Sequence, residues 1–380
     1  MKALIVTLHY LNGNGGGVFA SRAFANAIAS VADATYLMYP LFEGDDTLRI
    51  DSKIRKIPVL YKKSKLAKFV DLLFGRVHRY YGSFEKELCS IKPDVVVFDN
   101  SRASYGLIDV AKRSGCKVVT IHHNYEYEYN RDNFPLYLKA ILLFWTKRYE
   151  RDAVRKSDLN LTLTRQDSIL LANHYNDGRI DSFEVIGVFE YEKNVQRLSD
   201  FNLLQHANGL NFVITGNLSA KQTEKSLISW FEDYYPILKK KIPEATLVVA
   251  GKNPSAFFKQ KCMNLGVNLV PSPKTMDEIL DKGDVYVCPI SLGGGIKLRV
   301  MDGLKKGLPV IAHEVSARGY DDFEQLGMLF AYRNEKSFDD CLERILKHKC
   351  NRNDVINAYE KLFSFDAGEK RLRKALNRLF

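Results

Sequence analysis

Residues 288–319 read CPISLGGGIKLRVMDGLKKGLPVIAHEVSARG, and this run decides the fold. Just ahead of it, Val285 to Val287 form a short apolar run bounded by Pro289 and glycines, which reads as a buried parallel strand rather than a helix. Gly293, Gly294 and Gly295 then leave backbone N–H groups uncovered by any Cβ. A helix expected from near Ile296 points the positive end of its dipole at the same spot. Lys297 and Arg299 add two cations, so the expected guest carries more charge than one carboxylate, and a diphosphate suits. Asp302 lies further along the same helix, at a spacing from which its carboxylate reaches a sugar hydroxyl attached to that diphosphate. Val300, Met301 and Leu304 around it predict partial burial. Leu308-Pro309-Val310-Ile311 restarts a strand, so the run is an anion-binding corner between two strands of an α/β sheet.

The same grammar runs through the chain. Leu4 to Thr7 is strand-like, Gly15, Gly16 and Gly17 make a turn, and Val18 to Ala32 has helical character, which opens a βαβ unit. Further strands are expected at 34–38, 95–98, 118–121, 159–163 and 183–186. After a polar, aperiodic stretch at Glu190 to Gly209 the pattern restarts, with strands at 212–215, 247–250, 267–270, 285–287 and 310–311. The reading is α/β: two Rossmann-like doubly wound domains, residues 1–192 and 205–362, facing a central cleft. The amphipathic, basic tail 363–380 forms a helix able to pack back on the first domain. Ligands of open sheets bind beyond the carboxyl ends of the strands, and both glycine clusters sit there. Gly15 to Gly17 therefore predict close backbone approach to donor or acceptor.

A chain of 380 residues is natural for two domains, and 46% hydrophobic with 27% charged residues excludes both disorder and a membrane-embedded protein. The opening MKALIVTLHY lacks the long apolar region of a signal peptide, so a cytoplasmic chain is expected. Six cysteines fall singly, without a CxxC pair, which predicts reduced thiols and argues against zinc or a disulfide framework. The net charge of +11 calls for an acidic partner: nucleic acid, anionic lipid or a phosphorylated substrate. No nucleic-acid module accompanies that charge, so nucleic acid is not the expected partner.

Three ordered pieces carry a resemblance. GGGIKLRVMDGLKKGLPVIA at 293–312 is similar to the glycine triplet, basic pair, acid and GxPV strand of the GT-B glycosyltransferases, in particular the family-4-like bacterial sugar transferases. TGNLSAKQTEKSLISWFEDYYPILKKKIPEATLVVAGKNPS at 215–255 resembles the opening of that group's nucleotide domain. HHNYEYEY at 122–129 contains an HNxE-like His123-Asn124-Tyr125-Glu126, followed by RYERDAVRKSDLNLTLT. The resemblance implies that Gly216, Asn217, Gly293, Gly294, Gly295, Ile296, Lys297 and Arg299 hold a donor diphosphate, that Asp302 binds ribose hydroxyls, and that His123, Glu126 and Lys297 serve catalysis. It also implies transfer with retention of anomeric configuration from a nucleotide diphosphate sugar to a glycan or glycolipid acceptor. This sequence departs from the group where many members carry two glutamates eight positions apart: it has Gly294 and Asp302. It also offers only Lys221 as a charge after Gly216-Asn217-Leu218-Ser219, which shifts the diphosphate onto Lys297 and Arg299. No Asp-x-Asp triplet occurs, so no cofactor and no metal are expected, the helix dipole and two cations replacing a divalent ion.

Each reading has a plainer rival. The glycines suit a tight turn, Asp302 a solvated helix residue, His123 a packed histidine, and the Tyr125, Tyr127, Tyr129 alternation an edge strand. Between Lys53 and Tyr81 nine basic residues mix with large apolar ones such as Leu60, Leu66, Phe69 and Phe74, a basic amphipathic face suited to an anionic membrane surface, with a solvated helix as the alternative. A non-catalytic GT-B partner and a same-fold nucleotide-sugar epimerase are the competing functions.

Overall fold

The computed structural model describes residues 1–13, 15–41, 48–60, 64–75, 80–192, 209–347 and 351–380. It separates into two compact units, Met1–Val195 with Phe363–Phe380, and Gln196–Leu362. Most of the expected linker, 193–208, lies outside the described residues.

In the first unit seven strands form one sheet: β1 (Lys2–Thr7), β2 (Ala34–Leu41), β3 (Arg55–Leu60), β4 (Val95–Asp99), β5 (Lys117–His122), β6 (Leu159–Thr162) and β7 (Phe183–Val185). Their order is β3-β2-β1-β4-β5-β6-β7, parallel throughout, with Ile5 in register with Leu37 on one side and Val97 on the other. A parallel sheet needs cover on both faces, so its inner strands are near-continuous apolar runs such as Val95-Val96-Val97-Phe98, all buried. Leu4, Val6, Phe84, Phe98, Ile108 and Val118 build the core on one face. The helix Gly16–Val31 lies beside the tail helix Phe365–Leu376. The tail is tied down by Arg371 Nε donating to Ile186 O at 2.8 Å, by Glu190 N–H donating to Phe363 O at 2.9 Å, and by the Phe189 and Phe365 rings at 6.4 Å.

The second unit has six parallel strands: β8 (Asn211–Asn217), β9 (Thr246–Lys252), β10 (Asn268–Pro271), β11 (Val285–Cys288), β12 (Val310–His313) and β13 (Leu329–Tyr332), in the order β10-β9-β8-β11-β12-β13. Trp230 anchors its core, edge-on to Phe338 at 5.9 Å, while Phe231 stacks on Phe258 at 5.7 Å.

Three expectations are corrected. β3 and β13 were not foreseen; both are edge strands, and β3 contains Pro58, which only an edge tolerates. The basic stretch 53–81 is therefore not one amphipathic element but β3 followed by the helix Lys65–Leu73, and residues 61–63 and 76–79 lie outside the described residues. The edge strand that stood as the plainer rival for the tyrosine alternation after His123 does not form: Glu126–Asn133 is a helix.

Candidate active site

Each sheet reverses its strand order once, between β1 and β4 in the first unit and between β8 and β11 in the second. Adjacent strands there send their connections to opposite faces and leave a crevice at their carboxyl ends.

At the second crevice the loop after β11 is tied to the helix Lys221–Asp233 by Ser291 N–H donating to Ser226 Oγ at 3.3 Å. Arg299 Nη2 donates to Thr223 Oγ1 at 3.0 Å, and the guanidinium lies flat against Gly216, where a Cβ would stand 2.3 Å from Cζ. A side chain at 216 would displace the cation from this place. Gln222 approaches Gly293, its Oε1 3.2 Å from the position of a Cβ. Gly216, Gln222, Thr223, Gly293 and Arg299 thus converge. Gln222 and Thr223 escaped the sequence reading because nothing in a helical segment marks the turn that faces a neighbouring loop. Lys297 Nζ donates to Gly294 O at 2.6 Å and to Gly293 O at 3.3 Å, while Tyr320 O–H donates to Lys297 O at 2.9 Å.

The helix after the glycines starts at Arg299, not near Ile296, and spans only Arg299–Lys305. Gly293 and Gly295 have φ of 83° and 65°, so the chain is still turning, and Ile296 and Lys297 sit on the lead-in loop. Asp302 is exposed rather than partly buried, because Val300, Met301 and Leu304 take the inward face and leave it outside. Asn217 is exposed and spends Oδ1 on its own turn, accepting from Ser219 N–H and Oγ–H.

In the first unit Gly15 and Gly16 are exposed at the start of the helix Gly16–Val31. Gly17 lies against the imidazole of His9, whose Cε1 would be 2.8 Å from a Cβ. Strands β1, β4 and β5 bring His9, Asp99 and His123 to one point. His123 Nε2 and Asp99 Oδ1 are 2.6 Å apart, both residues buried, and Thr7 Oγ–H donates to Asp99 Oδ2 at 2.6 Å. Burial alone would lower the His123 pKa, but the Asp99 carboxylate reverses this and raises it. Burial likewise pushes Asp99 up, yet His123 and His9 hold it well below the usual carboxylate range. His9, lacking so close a partner, is lowered by burial. The adjacent His122 points into the sheet, Nε2 meeting Asn160 Oδ1 at 2.9 Å, and burial lowers its pKa to about 4. His9 and Asp99 were missed because their meeting depends on strand order, which no local spacing reveals.

Glu126 Oε1 accepts from Asn100 Nδ2 and Asn124 Nδ2, both at 3.0 Å, and burial raises its pKa. Glu126 N–H donates at 2.6 Å to the fully buried Glu150, which also accepts from Tyr175 O–H at 2.9 Å. This carboxyl serves as a remote cap for the helix Glu126–Asn133. Burial, then Glu126, raises its pKa well above the usual range.

His9, Asp99 and His123 offer ligand atoms within 4.8 Å of one another. The 2.6 Å contact is nevertheless that of a charge-assisted hydrogen bond; two donors on one tetrahedral zinc stand about 3.3 Å apart.

Three solved structures are similar over the whole chain. The lipopolysaccharide outer core galactosyltransferase WaaB in its apo form superposes with a TM-score of 0.70 at 13% identity, covering 100% of each chain. HepE of Anabaena in complex with UDP gives 0.67 at 13%, again covering 100% of each. Sucrose-phosphate synthase from Thermosynechococcus elongatus gives 0.70 at 12%, covering 100% of this chain and 99% of the other. The fold is GT-B. Within this GT-B chain, residues 209–348 match the family model described as Glycosyl transferases group 1. That match contains Gly216, Gln222, Thr223, Gly293, Lys297 and Arg299, whereas His9, Asp99, His123 and Glu126 lie outside it. An uncharacterized 44.6 kDa protein in the cps region of Klebsiella pneumoniae is 25% identical over 117 residues, 29% of this chain and 30% of that protein. The chain thus matches under a third of the length of this curated relative.

Proposed function

We propose that the chain is a retaining glycosyltransferase that moves a sugar from a nucleotide diphosphate sugar to a surface polysaccharide or lipid-linked glycan acceptor, without a divalent ion on the diphosphate. The carrying observation is the cation held at the second switch point: Arg299, seated on Gly216 and bonded to Thr223, beside the Gly293 to Gly295 loop and Lys297. HepE has been solved with UDP, with UDP and glucose, and with UDP-glucose, and WaaB is an outer core galactosyltransferase, which supports a nucleotide-sugar donor and a glycan acceptor.

The chemistry follows from charge. As the bond from the sugar C1 to the diphosphate oxygen breaks, negative charge grows on that oxygen, and Arg299, Lys297 and loop N–H groups stabilise it. The acceptor hydroxyl oxygen bonds to C1 on the face the diphosphate leaves, and its proton passes to the departing phosphate oxygen. The products are the glycoside and the nucleoside diphosphate. Lys297 exchanges the Gly293 and Gly294 carbonyls for phosphate oxygens, the exposed Asp302 accepts from ribose hydroxyls, and His123 and Glu126 contact the sugar or acceptor. Calorimetry with UDP and GDP tests this: Arg299→Ala and Lys297→Ala should each weaken binding about tenfold or more. A wild-type protein that binds neither nucleotide overturns the reading in favour of a non-catalytic partner, and product formation without an acceptor would mark an epimerase.

A second part of the reading concerns location. Leu66, Phe69, Val70 and Phe74 on and after the helix Lys65–Leu73 are exposed, as are Leu136, Tyr137 and Phe144. Trp145 Nε1 donates to Leu73 O at 3.1 Å, so the helix Lys139–Lys156 abuts the end of Lys65–Leu73 and joins the two apolar sets. Lys147, Arg148 and Arg151 are exposed on the same helix, which suits an anionic bilayer at the cytoplasmic face. Among the described residues no helix is long and apolar enough to cross a membrane. Flotation with vesicles containing phosphatidylglycerol, but not with phosphatidylcholine alone, is the expected result; equal or absent binding to both removes this part.

A further inference from the structure

The first crevice holds more chemistry than the sequence motif named. Asp99 closes β4, His9 follows β1 by two residues, and His123 follows β5 directly, so three neighbouring strands deliver one carboxylate and two imidazoles to one pocket. The carboxylate is anchored at both oxygens, to Thr7 Oγ and to His123 Nε2. The His9 and His123 rings lie 5.4 Å apart, the Gly17 backbone backs His9, and Phe24 meets His123 edge-on at 6.4 Å. With Nε2 engaged, Nδ1 is the His123 nitrogen left for a ligand. It is not among the fully buried atoms without a partner, as Nδ1 of His122 is.

We propose that Asp99 is a positioning residue acting through His123, holding that ring by Nε2 so that Nδ1–H meets a substrate hydroxyl, and that His9 is the second imidazole contacting the same hydroxyl. It rests on the reading of His123 as a substrate contact. The division of labour is chemical. A sugar hydroxyl both accepts and donates. A charged His123 donates to its oxygen, and an uncharged His9, with one bare nitrogen, accepts its proton. Two charged imidazoles would both donate and leave the hydroxyl proton unmatched; two neutral ones would leave the Asp99 charge buried and uncompensated. The groups facing His123 are Asp99, His9, His122 and Glu126, with Phe24 the apolar wall. His122 is held neutral and adds no charge, Glu126 favours the imidazolium, and Asp99 favours it most. The ligand class is thus a neutral hydroxyl-bearing sugar, not an additional phosphate, since the charge on His123 is already paired with Asp99.

Histidine-labelled full-length protein tests this by NMR titration, together with the pH dependence of kcat/KM for donor turnover. In the wild type His123 should titrate above the free-imidazole value of about 6.5, and its neutral form should keep the proton on Nε2. In Asp99→Asn that titration should move below 6.5, the loss in kcat/KM being about a hundredfold at pH 8 and less than tenfold at pH 5.5. In His9→Gln the His123 titration should stay within a few tenths of a unit while KM rises about tenfold. An unshifted His123 titration in Asp99→Asn, or a loss equal at every pH, leaves Asp99 purely structural and overturns the proposal. An unchanged KM in His9→Gln removes His9. The titration needs no turnover, and UDP binding reads the second unit separately. Failure here is therefore distinct from failure of the glycosyltransferase reading.

Discussion

The guanidinium of Arg299 fills the space that a side chain on Gly216 would take, its Cζ only 2.3 Å from a Cβ built there. The first strand of the second unit carries a glycine one residue before its end, where the cation from the start of the helix Arg299–Lys305 lies on it. Gly216→Ala should weaken UDP binding about tenfold at a folding cost of about 1–3 kcal/mol. Calorimetry and urea denaturation measure the two separately, and an unchanged affinity would detach Arg299 from the nucleotide.

Asp99 and His123 make stability depend on pH from both sides. The depressed Asp99 pKa gives stability present above the ordinary carboxyl value of about 3.8 and lost as pH falls through its folded value. The raised His123 pKa gives stability fully present below about 6.5 and lost as pH rises through its folded value. Asp99→Asn should therefore cost most between about pH 4 and 6.5, by about 3–5 kcal/mol, because it strands a buried imidazolium. Urea midpoints that differ equally at pH 5 and pH 8 would contradict this.

Glu150 behaves oppositely. Its pKa is raised, so the folded state retains a proton that the unfolded chain releases, and the wild type loses stability as pH rises above about 4.5. Glu150→Gln should destabilise at pH 5 and become equal to or more stable than the wild type by pH 8. The swing should be about 1–2 kcal/mol in chemical denaturation. Glu150→Ala, which removes the acceptor for Glu126 N–H and Tyr175 O–H, should be destabilised at both values.

Trp230→Ala should cost about 3–5 kcal/mol, since the ring is fully buried among Phe231, Tyr235 and Phe338. The loss should fall on the second unit: hydrogen exchange should accelerate in β8 and β11 and stay unchanged in β1 and β4.

Periodicity exposed the architecture because buried parallel strands are dense in Val, Ile and Leu; 95–98 and 285–287 could hardly be anything else. β3, where only Val59 is buried, carries no such signature and went unseen, as did the four-residue β13, whereas the other two edge strands, β7 and β10, were expected. The glycine loop was legible because backbone exposure is written in the residue type, but its helix starts three residues late, since two left-handed glycines prolong the turn. His123 and Glu126 were found through a motif. Asp99, His9, Thr223 and Glu150 were not, because each gains its meaning from a partner on another strand or helix 24 or more residues away, as Asp99 does from His123.

The tail helix Phe365–Leu376, docked beside Gly16–Val31, makes the second unit an insertion within the first. Vectorial synthesis then releases Gln196–Leu362 complete while the first unit still lacks the helix that covers Phe189 and the Gly16–Val31 face. Of the two units only the first, the one with Asp99 and His123, depends on residues 363–380. A nonsense mutation near residue 363 would spare the second unit and leave the first with an apolar scar for chaperones to find.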